Sequence, residues 1–205
     1  AQMLMVLDVF NWFDVKQLTI LFGLFFTAIA CIIMGAGVPT TPTYIILAAI
    51  VAPALASLGV PQLATHFFIF YFGVLADVTP PVALAAFAAS GIAGSEPMRT
   101  GMTAFRLSMG KALVPFVFVY TPALLLIDFT WTAFLLATAC AVVAVMGLGA
   151  AYTGFVSRPI AKPSFLLLNV LSLSLVFANP LVASVAIPGV LLILFWHSRP
   201  LPNTT

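Results

Sequence analysis

The chain has 205 residues, of which 63% are hydrophobic and 6% are charged, and its formal net charge is +2. Soluble domains carry about 25% charged residues, so this composition excludes a soluble enzyme and a disordered segment. The small net charge excludes a nucleic-acid binder with a basic patch. Lipid accepts helices and closed barrels as spanning structures, and the long continuous apolar runs favour helices. We therefore predict an all-α membrane protein.

Apolar runs and the breaks between them divide the chain. A spanning helix needs about 20 apolar residues. In chain order we predict an interfacial lead-in at 1–17, a re-entrant helical hairpin at 18–58, a discontinuous transmembrane helix at 62–93, an amphipathic connector at 94–111, transmembrane helices at 112–127 and 131–155, a C-terminal helical pair at 164–196 and a polar tail at 197–205. Basic residues concentrate in the connector, in the segment after 155 and in the tail, which predicts that these parts are cytoplasmic.

The turn at 35–43 contains no charged residue. Its two predicted arms have about 15–17 residues each, which is roughly 25 Å of helix. The short arms and the uncharged turn favour a re-entrant hairpin whose tip stops within the protein. The alternative is a pair of ordinary spans joined by a tight loop, and the positions of the charges are compatible with both.

The stretch 62–93 would be about 48 Å long as one helix, which exceeds the roughly 30 Å hydrocarbon core. Pro80 and Pro81 remove two backbone donors and disfavour helix just before them. We predict two half-helices at 62–76 and 81–93. A simple proline kink is the alternative.

The turn and the break share a local pattern. Thr41-Pro42 and Thr79-Pro80 each place a hydroxyl where a helix N-cap is expected and a proline at the first helical position. Gly35 and Gly37 suit the end of the preceding arm, where a positive φ is common. Each break would offer carbonyls to a cation and a helix N-terminus to an anion. Paired broken helices of this kind indicate the site of a secondary transporter.

Asp77 is the only acid deep in an apolar run. An ionisable residue at such a position predicts a functional role by default. The carboxyl could bind Na⁺, carry a coupling proton or cap the second half-helix; the alternative is a protonated carboxyl that stabilises the break. His66 and His197 have no ligand spacing to another His, Cys or acid, and Cys31 and Cys140 lie inside apolar runs, so neither a transition-metal site nor a disulfide is predicted.

Two motifs carry a resemblance to a known family. The run MGAGVPTTPTY from Met34 to Tyr44 and the run FGVLADVTPPVALAAF from Phe72 to Phe87 resemble the large membrane subunit, of the DctM type, of TRAP transporters. The chain is most similar to the fused permeases of the TAXI subgroup. The resemblance covers about residues 15–127, and the part beyond Asp128 is similar to the extra C-terminal spans of those proteins.

The resemblance implies a function and a fold. The family imports small organic acids, commonly carboxylates, with a Na⁺ gradient across the bacterial inner membrane. A periplasmic solute-binding protein, here of the TAXI type, delivers the substrate. The fold is an elevator with two inverted repeats, in which 18–58 would be the second hairpin and 62–93 the second discontinuous helix. No cofactor other than the coupling ion is implied.

The resemblance also implies a set of site residues. Hairpin tips and helix breaks in the family bind Na⁺ through carbonyls and hydroxyls, and the substrate lies between the two hairpin tips. The implied Na⁺ site comprises Gly35, Gly37, Val38, Thr40, Thr41, Ala76, Asp77 and Thr79, and the implied substrate site comprises Pro39, Thr40, Thr41, Pro80 and Pro81. Many members have an uncharged residue in place of Asp77, so a proton is the alternative coupling ion.

Nothing in the chain corresponds to the first repeat of the family. We therefore expect a C-terminal fragment of a longer polypeptide or a split subunit that holds about half of the transport site. Its expected partners are the missing N-terminal half or small membrane subunit, the binding protein, the organic acid and the lipid bilayer, without nucleic acid.

Two other classes of function fit less well than transport. An aspartyl intramembrane protease needs two acids in one site, and Asp77 has no intramembrane partner in the sequence. A serine protease would need a Ser–His pair, whereas Ser90 and His66 lie on opposite sides of the predicted break. A channel needs a ring of charges or carbonyls around a pore. We predict a transporter rather than an enzyme.

Overall fold

The computed structural model of the chain describes residues 15–198. Most of the predicted lead-in and the tail beyond Ser198 lie outside the described residues. Within residues 15–198 the chain forms nine α-helices, short 3₁₀ segments and one isolated bridge between Phe155 and Pro159. The α-helices are α1 (Val15–Gly35), α2 (Thr40–Ser57), α3 (Gln62–Ala76), α4 (Leu84–Ala93), α5 (Pro97–Ser108), α6 (Val114–Tyr120), α7 (Trp131–Thr153), α8 (Lys162–Ser174) and α9 (Pro180–Ser198).

Several of these helices are long and apolar enough to cross a bilayer. In the described part of the chain there are five: Lys16–Gly35, Thr40–Ser57, Pro97–Tyr120, Trp131–Thr153 and Pro180–Ser198. Gln62–Ala76, Leu84–Ala93 and Lys162–Phe177 are apolar but shorter. Exposed phenylalanine, isoleucine and leucine side chains cover the outside of these helices, as expected where lipid replaces water. The prediction of an all-α membrane protein is confirmed.

The first three helices and α6 surround one hydrophobic core. Its centre includes Leu24 of α1, Leu55 of α2 and Phe68 of α3, all at most 2% exposed. The ring of Phe68 packs edge-on against Phe116 of α6, with the ring centroids 5.2 Å apart. This core holds the hairpin formed by α1 and α2 against the helix that follows it.

Helices α7, α8 and α9 surround a second core. The small residue Gly147 on α7 lets α8 and α9 approach closely, because a Cβ there would collide with the Ser172 hydroxyl and lie 3.0 Å from Val190. On its other side, α7 meets the 3₁₀ segment Met109–Leu113, where a Cβ at Gly110 would lie 2.8 Å from the backbone nitrogen of Gly149. Small residues that let backbones approach are typical of helix packing in membranes.

The arms of the hairpin are longer than the sequence pattern predicts. Helix α1 has 21 residues and α2 has 18 residues. The helix of the first arm includes Lys16 and Gln17, which are polar but favour helix, so the apolar run underestimates its length. Arm length therefore no longer favours a re-entrant hairpin over two full spans, and the re-entrant arrangement stays a prediction.

The predicted division between a connector at 94–111 and a span at 112–127 is not a break in the structure. Helix α5, the 3₁₀ segment Met109–Leu113 and α6 run on continuously from Pro97 to Tyr120. Pro115 lies in the first turn of α6, where a proline is tolerated. The helix ends at Tyr120, and the 3₁₀ turn Pro122–Leu125 lies between it and α7. The change in composition thus marked a change in polarity and not a helix boundary.

Candidate functional site

The tip of the hairpin is a short turn between α1 and α2. Helix α1 ends at Gly35, and the amide of Ala36 still donates to the carbonyl of Ile32 at 3.1 Å. Gly37 has φ +86°, a left-handed conformation that glycine adopts without steric cost. The positive φ predicted for this turn occurs at Gly37, whereas Gly35 is helical. On the far side of the turn, the buried Thr43 hydroxyl donates to the carbonyl of Val38 at 3.4 Å.

Two glycines allow the hairpin to approach the end of α3. A Cβ at Gly35 would lie 2.5 Å from the Cβ of Ala76 and 3.4 Å from the carbonyl oxygen of Gly73. A Cβ at Gly73 would in turn lie 3.9 Å from the methyl of Thr40. No side chain fits between the two backbones at Gly35, so the hairpin tip is in direct contact with the last turn of α3.

One side-chain hydrogen bond joins the tip to the helix break. The hydroxyl of Thr40, at the start of α2, donates to a carboxyl oxygen of Asp77 at 2.9 Å. Asp77 is the C-cap residue of α3 and is half-buried, as is Thr40. The predicted acid of the break and a predicted hydroxyl of the tip thus form one polar contact, although 37 residues separate them.

The break itself is an irregular segment from Asp77 to Ala83. The Thr79 hydroxyl donates back to the carbonyl of Leu75 at 2.8 Å, and the amide of Ala85 donates to the carbonyl of Asp77 at 3.0 Å. Ala83 has φ 38°, a left-handed conformation that is strained for a residue with a Cβ. These contacts tie the two half-helices together across the prolines.

The capping pattern predicted for the two breaks is wrong. Helix α2 begins at Thr40 and its N-cap is Pro39, so Thr41 and Pro42 lie within its first turn. The second half-helix, α4, begins at Leu84, three residues after its predicted start at Pro81, and its N-cap is Ala83 instead of Thr79. Thr79 does not cap α4, because its hydroxyl extends the hydrogen bonding of α3 instead.

A further helix packs on the outer side of the break. A Cβ at Gly101 of α5 would lie 3.1 Å from Phe87, 3.4 Å from the Cβ of Ala83 and 3.6 Å from Pro80. Gly101 is buried. The strained segment is therefore held between the hairpin on one side and α5 on the other.

The structure brings some of the predicted site residues together and leaves others apart. Contacts between the tip and the break, or within them, involve Gly35, Gly37, Val38, Thr40, Ala76, Asp77 and Thr79. The side chains of Pro39, Thr41 and Pro81 are exposed, and Pro80 faces α5. These contacts join protein groups to one another, and the ligand roles of all these residues stay predictions.

Sequence reasoning missed several residues that build this arrangement. Gly73 and Gly101 permit close helix contacts, and Thr43 is 1% exposed behind the tip. Tyr44 is hydrogen-bonded to Nδ1 of His66 at 3.0 Å, which joins α2 to α3. The small residue Gly73 inside an apolar helix was a usable signal, since a glycine there weakens the helix unless a neighbour approaches closely.

The groups at the tip and the break that could bind a cation are hydroxyls, carbonyls and the carboxyl group of Asp77. Among residues 15–198 no group of three His, Cys, Asp or Glu side chains is close enough to hold a metal ion. Oxygen ligands of this kind suit hard cations. Discontinuous helices are typical of secondary transporters, so the tip and the break form the candidate functional site.

Comparison with known proteins names the family. The model of the family "Tripartite ATP-independent periplasmic transporter, DctM component" matches residues 5–133, which is more than half of the chain. The chain belongs to this family, so it is a membrane component of a TRAP transporter and not a member of an enzyme family. The matched range includes the hairpin, the break and the helix to Tyr120. No curated protein and no solved structure matches the chain.

Proposed function

We propose that the chain forms part of the transport site of a TRAP transporter that imports small organic acids with a Na⁺ gradient. The observation that carries this proposal is the hydrogen bond from Thr40 to Asp77, which couples the hairpin tip to the helix break. A cation bound by oxygen atoms from both elements would stabilise the tip against the break. Release of the cation would then weaken that contact and favour opening of the hairpin.

The test is uptake of a carboxylate by the complete transporter in proteoliposomes. Thr40→Ala removes the hydroxyl that donates to Asp77 and that contributes an oxygen to the proposed cation site. We expect an apparent Na⁺ affinity about tenfold lower or more. Thr132→Ala is the matched control, because Thr132 is an exposed threonine at the start of α7. Equal effects of the two substitutions on Na⁺ affinity would contradict a Na⁺ site at the tip and the break.

Proton coupling is the second candidate, and Asp77 favours it. Its carboxyl is half-buried and accepts a hydrogen bond from a hydroxyl, and the other acids within residues 15–198 are Glu96 and Asp128, both exposed. Asp77→Asn keeps the shape of the side chain but cannot release a proton. If a proton is the coupling ion, this variant will lose uptake driven by a pH gradient and keep substrate exchange. If Na⁺ is the coupling ion, uptake will require Na⁺ at every pH.

The proposed partners follow from membership of the TRAP transporter family. We propose a periplasmic binding protein of the TAXI type as the source of substrate, and a small membrane subunit or further membrane segments as the scaffold of the moving part. Uptake should then require addition of the binding protein to the outer face of the vesicles. A scan of mono- and dicarboxylates against Na⁺ and pH identifies the substrate class. Uptake that needs no binding protein would contradict this part of the proposal.

A further inference from the structure

A groove on α3 contains the side chain of a lysine. The groove has a volume of about 300 Å³, and it is lined by Phe70, Tyr71, Val74, Leu75, Val78 and Lys111. Tyr71, Val74, Leu75 and Val78 recur at the spacing of one helix face. Gly73 and Ala76, which contact the hairpin, lie on the opposite face. The groove is therefore separate from the contact between the tip and the break.

Lys111 is the last residue of the predicted amphipathic connector at 94–111. It belongs to the 3₁₀ segment Met109–Leu113 inside the continuous span Pro97–Tyr120, and its side chain is exposed on the protein surface. The groove also contains Val78, which follows the C-terminal end of α3. A cation within a membrane span is costly unless an anion or a polar group compensates it.

No acid of the described residues lines the groove. Within residues 15–198, Asp77 accepts a hydrogen bond from Thr40, Glu96 accepts from the backbone amides at the start of α5, and Asp128 is exposed beyond the end of α6. None of these contacts involves Lys111. The positive charge in the groove is therefore available to an anion from outside this part of the chain.

The walls of the groove indicate what kind of anion fits. Phe70 is 49% exposed and Val74 is 44% exposed, so this chain leaves an apolar surface open next to the ammonium group. We propose that the groove binds an anionic phospholipid, with the lipid phosphate on Nζ of Lys111 and an acyl chain along Phe70 and Val74. The long apolar stem of a lysine lets its ammonium group reach towards the headgroup level. Anionic headgroups attract such a cation.

A small organic acid fits the groove less well than a lipid. Apart from the Tyr71 hydroxyl, the walls are apolar and would desolvate its remaining polar groups without offering hydrogen bonds, which is unfavourable. An acyl chain has no polar groups to desolvate, so the same contact has no such cost. Because Val78 follows Asp77 directly in the chain, a bound lipid touches the turn that carries the acid of the candidate site, and it stabilises that turn from the side opposite the hairpin.

The experiment measures lipid binding by the full chain, purified in a neutral detergent. Phosphatidylglycerol and phosphatidylcholine are titrated separately, and adducts are counted by native mass spectrometry. We expect a preference for phosphatidylglycerol that falls about fivefold in Lys111→Gln, the loss expected for one lysine near anionic lipid. Lys162→Gln is the matched control, since Lys162 is an exposed lysine at the start of α8. Its preference should equal that of the unaltered protein.

A second variant keeps the charge and fills the groove. Val74→Trp should reduce binding of phosphatidylglycerol while Lys111 remains, and it carries the test if Lys111→Gln does not fold. An unchanged phosphatidylglycerol preference in the folded Lys111→Gln protein would overturn the proposal. Displacement of the lipid by millimolar succinate would also overturn it and would assign the groove to small acids. None of these measurements depends on uptake, so the result is independent of the proposed transport function.

Discussion

The region of the hairpin and the broken helix differs from the C-terminal helices in how its elements are joined. In the first region, side-chain hydrogen bonds connect different helices: Thr40 to Asp77, Tyr44 to His66, and the Tyr120 hydroxyl to the carbonyl of Gln17 at 3.1 Å. In the second, α7, α8 and α9 meet through small residues and apolar side chains. The irregular backbone with the strained Ala83 also lies in the first region.

This difference suggests that the first region can rearrange during transport and that the second region serves as a fixed support. Polar contacts between elements can be made and broken as ions bind, whereas tight apolar packing has few alternative arrangements. The match to the transporter family ends at residue 133, near the start of α7. We therefore expect substitutions in the first region to change uptake beyond their effect on stability, and substitutions in the second region to change stability alone.

The largest effect is expected for Gly35→Ala. The new Cβ would lie 2.5 Å from the Cβ of Ala76, so the hairpin and α3 must separate, which costs about 1–3 kcal/mol and displaces the tip from the break. Thermal unfolding in detergent and uptake by proteoliposomes measure the two effects. Gly149→Ala is the control, because a Cβ there meets nothing within 4 Å. If Gly35→Ala is as stable and as active as the control, the close contact does not exist.

The second prediction concerns the packing of α7 on α8. Gly147→Ala places a methyl group against the Ser172 hydroxyl and should destabilise the protein by about 1–2 kcal/mol. The double variant Gly147→Ala with Ser172→Ala removes that hydroxyl, which has no hydrogen-bond partner among the described residues, and should recover most of the loss. Uptake per folded molecule should stay unchanged in both variants. If either variant loses uptake without losing stability, the expectation that the second region affects stability alone is wrong.

The third prediction compares two glycines with similar backbones. Gly37 has φ +86° and Gly154 has φ +72°, so alanine at either position adopts a left-handed conformation at a cost of about 1 kcal/mol. Only Gly37 lies at the tip, where its Cβ would approach Val82 of the break to 3.7 Å. Both variants should lose similar stability in thermal unfolding, but only Gly37→Ala should alter the Na⁺ dependence of uptake. Identical uptake curves would contradict a role of the tip.

The smallest effect is expected for Tyr44→Phe. The substitution removes one hydrogen bond to His66 and should cost about 1 kcal/mol of stability. Because the bond joins α2 to α3, hydrogen exchange in the amides of α2 should increase more than in α9. Uniform exchange across the two helices would show that the bond does not hold the hairpin.

Much of the fold could be predicted from composition and proline positions. Apolar run lengths indicated where most of the apolar helices lie. Pro80 and Pro81 located the interruption between α3 and α4, because two successive residues without an amide hydrogen remove two helix hydrogen bonds. Helix ends were predicted less well. Thr41 and Thr79 have the residue type of an N-cap, but Pro39 and Ala83 occupy those positions.

The contacts of the candidate site could be predicted only in part. The sequence singled out Asp77 and the threonines of the turn, since an acid and hydroxyls are rare in apolar runs. It did not distinguish Thr40 from Thr41. Neighbouring residues on a helix point about 100° apart, so the rotation of α2 against α3 decides which hydroxyl faces the carboxyl, and that rotation depends on the packing of Gly73 and Gly35.

The sequence by itself thus determined that the protein is a helical membrane protein with an interrupted helix, because the cost of exposing charge or backbone to lipid acts on each segment separately. Only the tertiary structure decided that Thr40 meets Asp77, that Gly35 lies against Ala76, and that Lys111 lines a groove with residues of α3. These pairings join residues far apart in the chain, and side-chain packing between helices selects them.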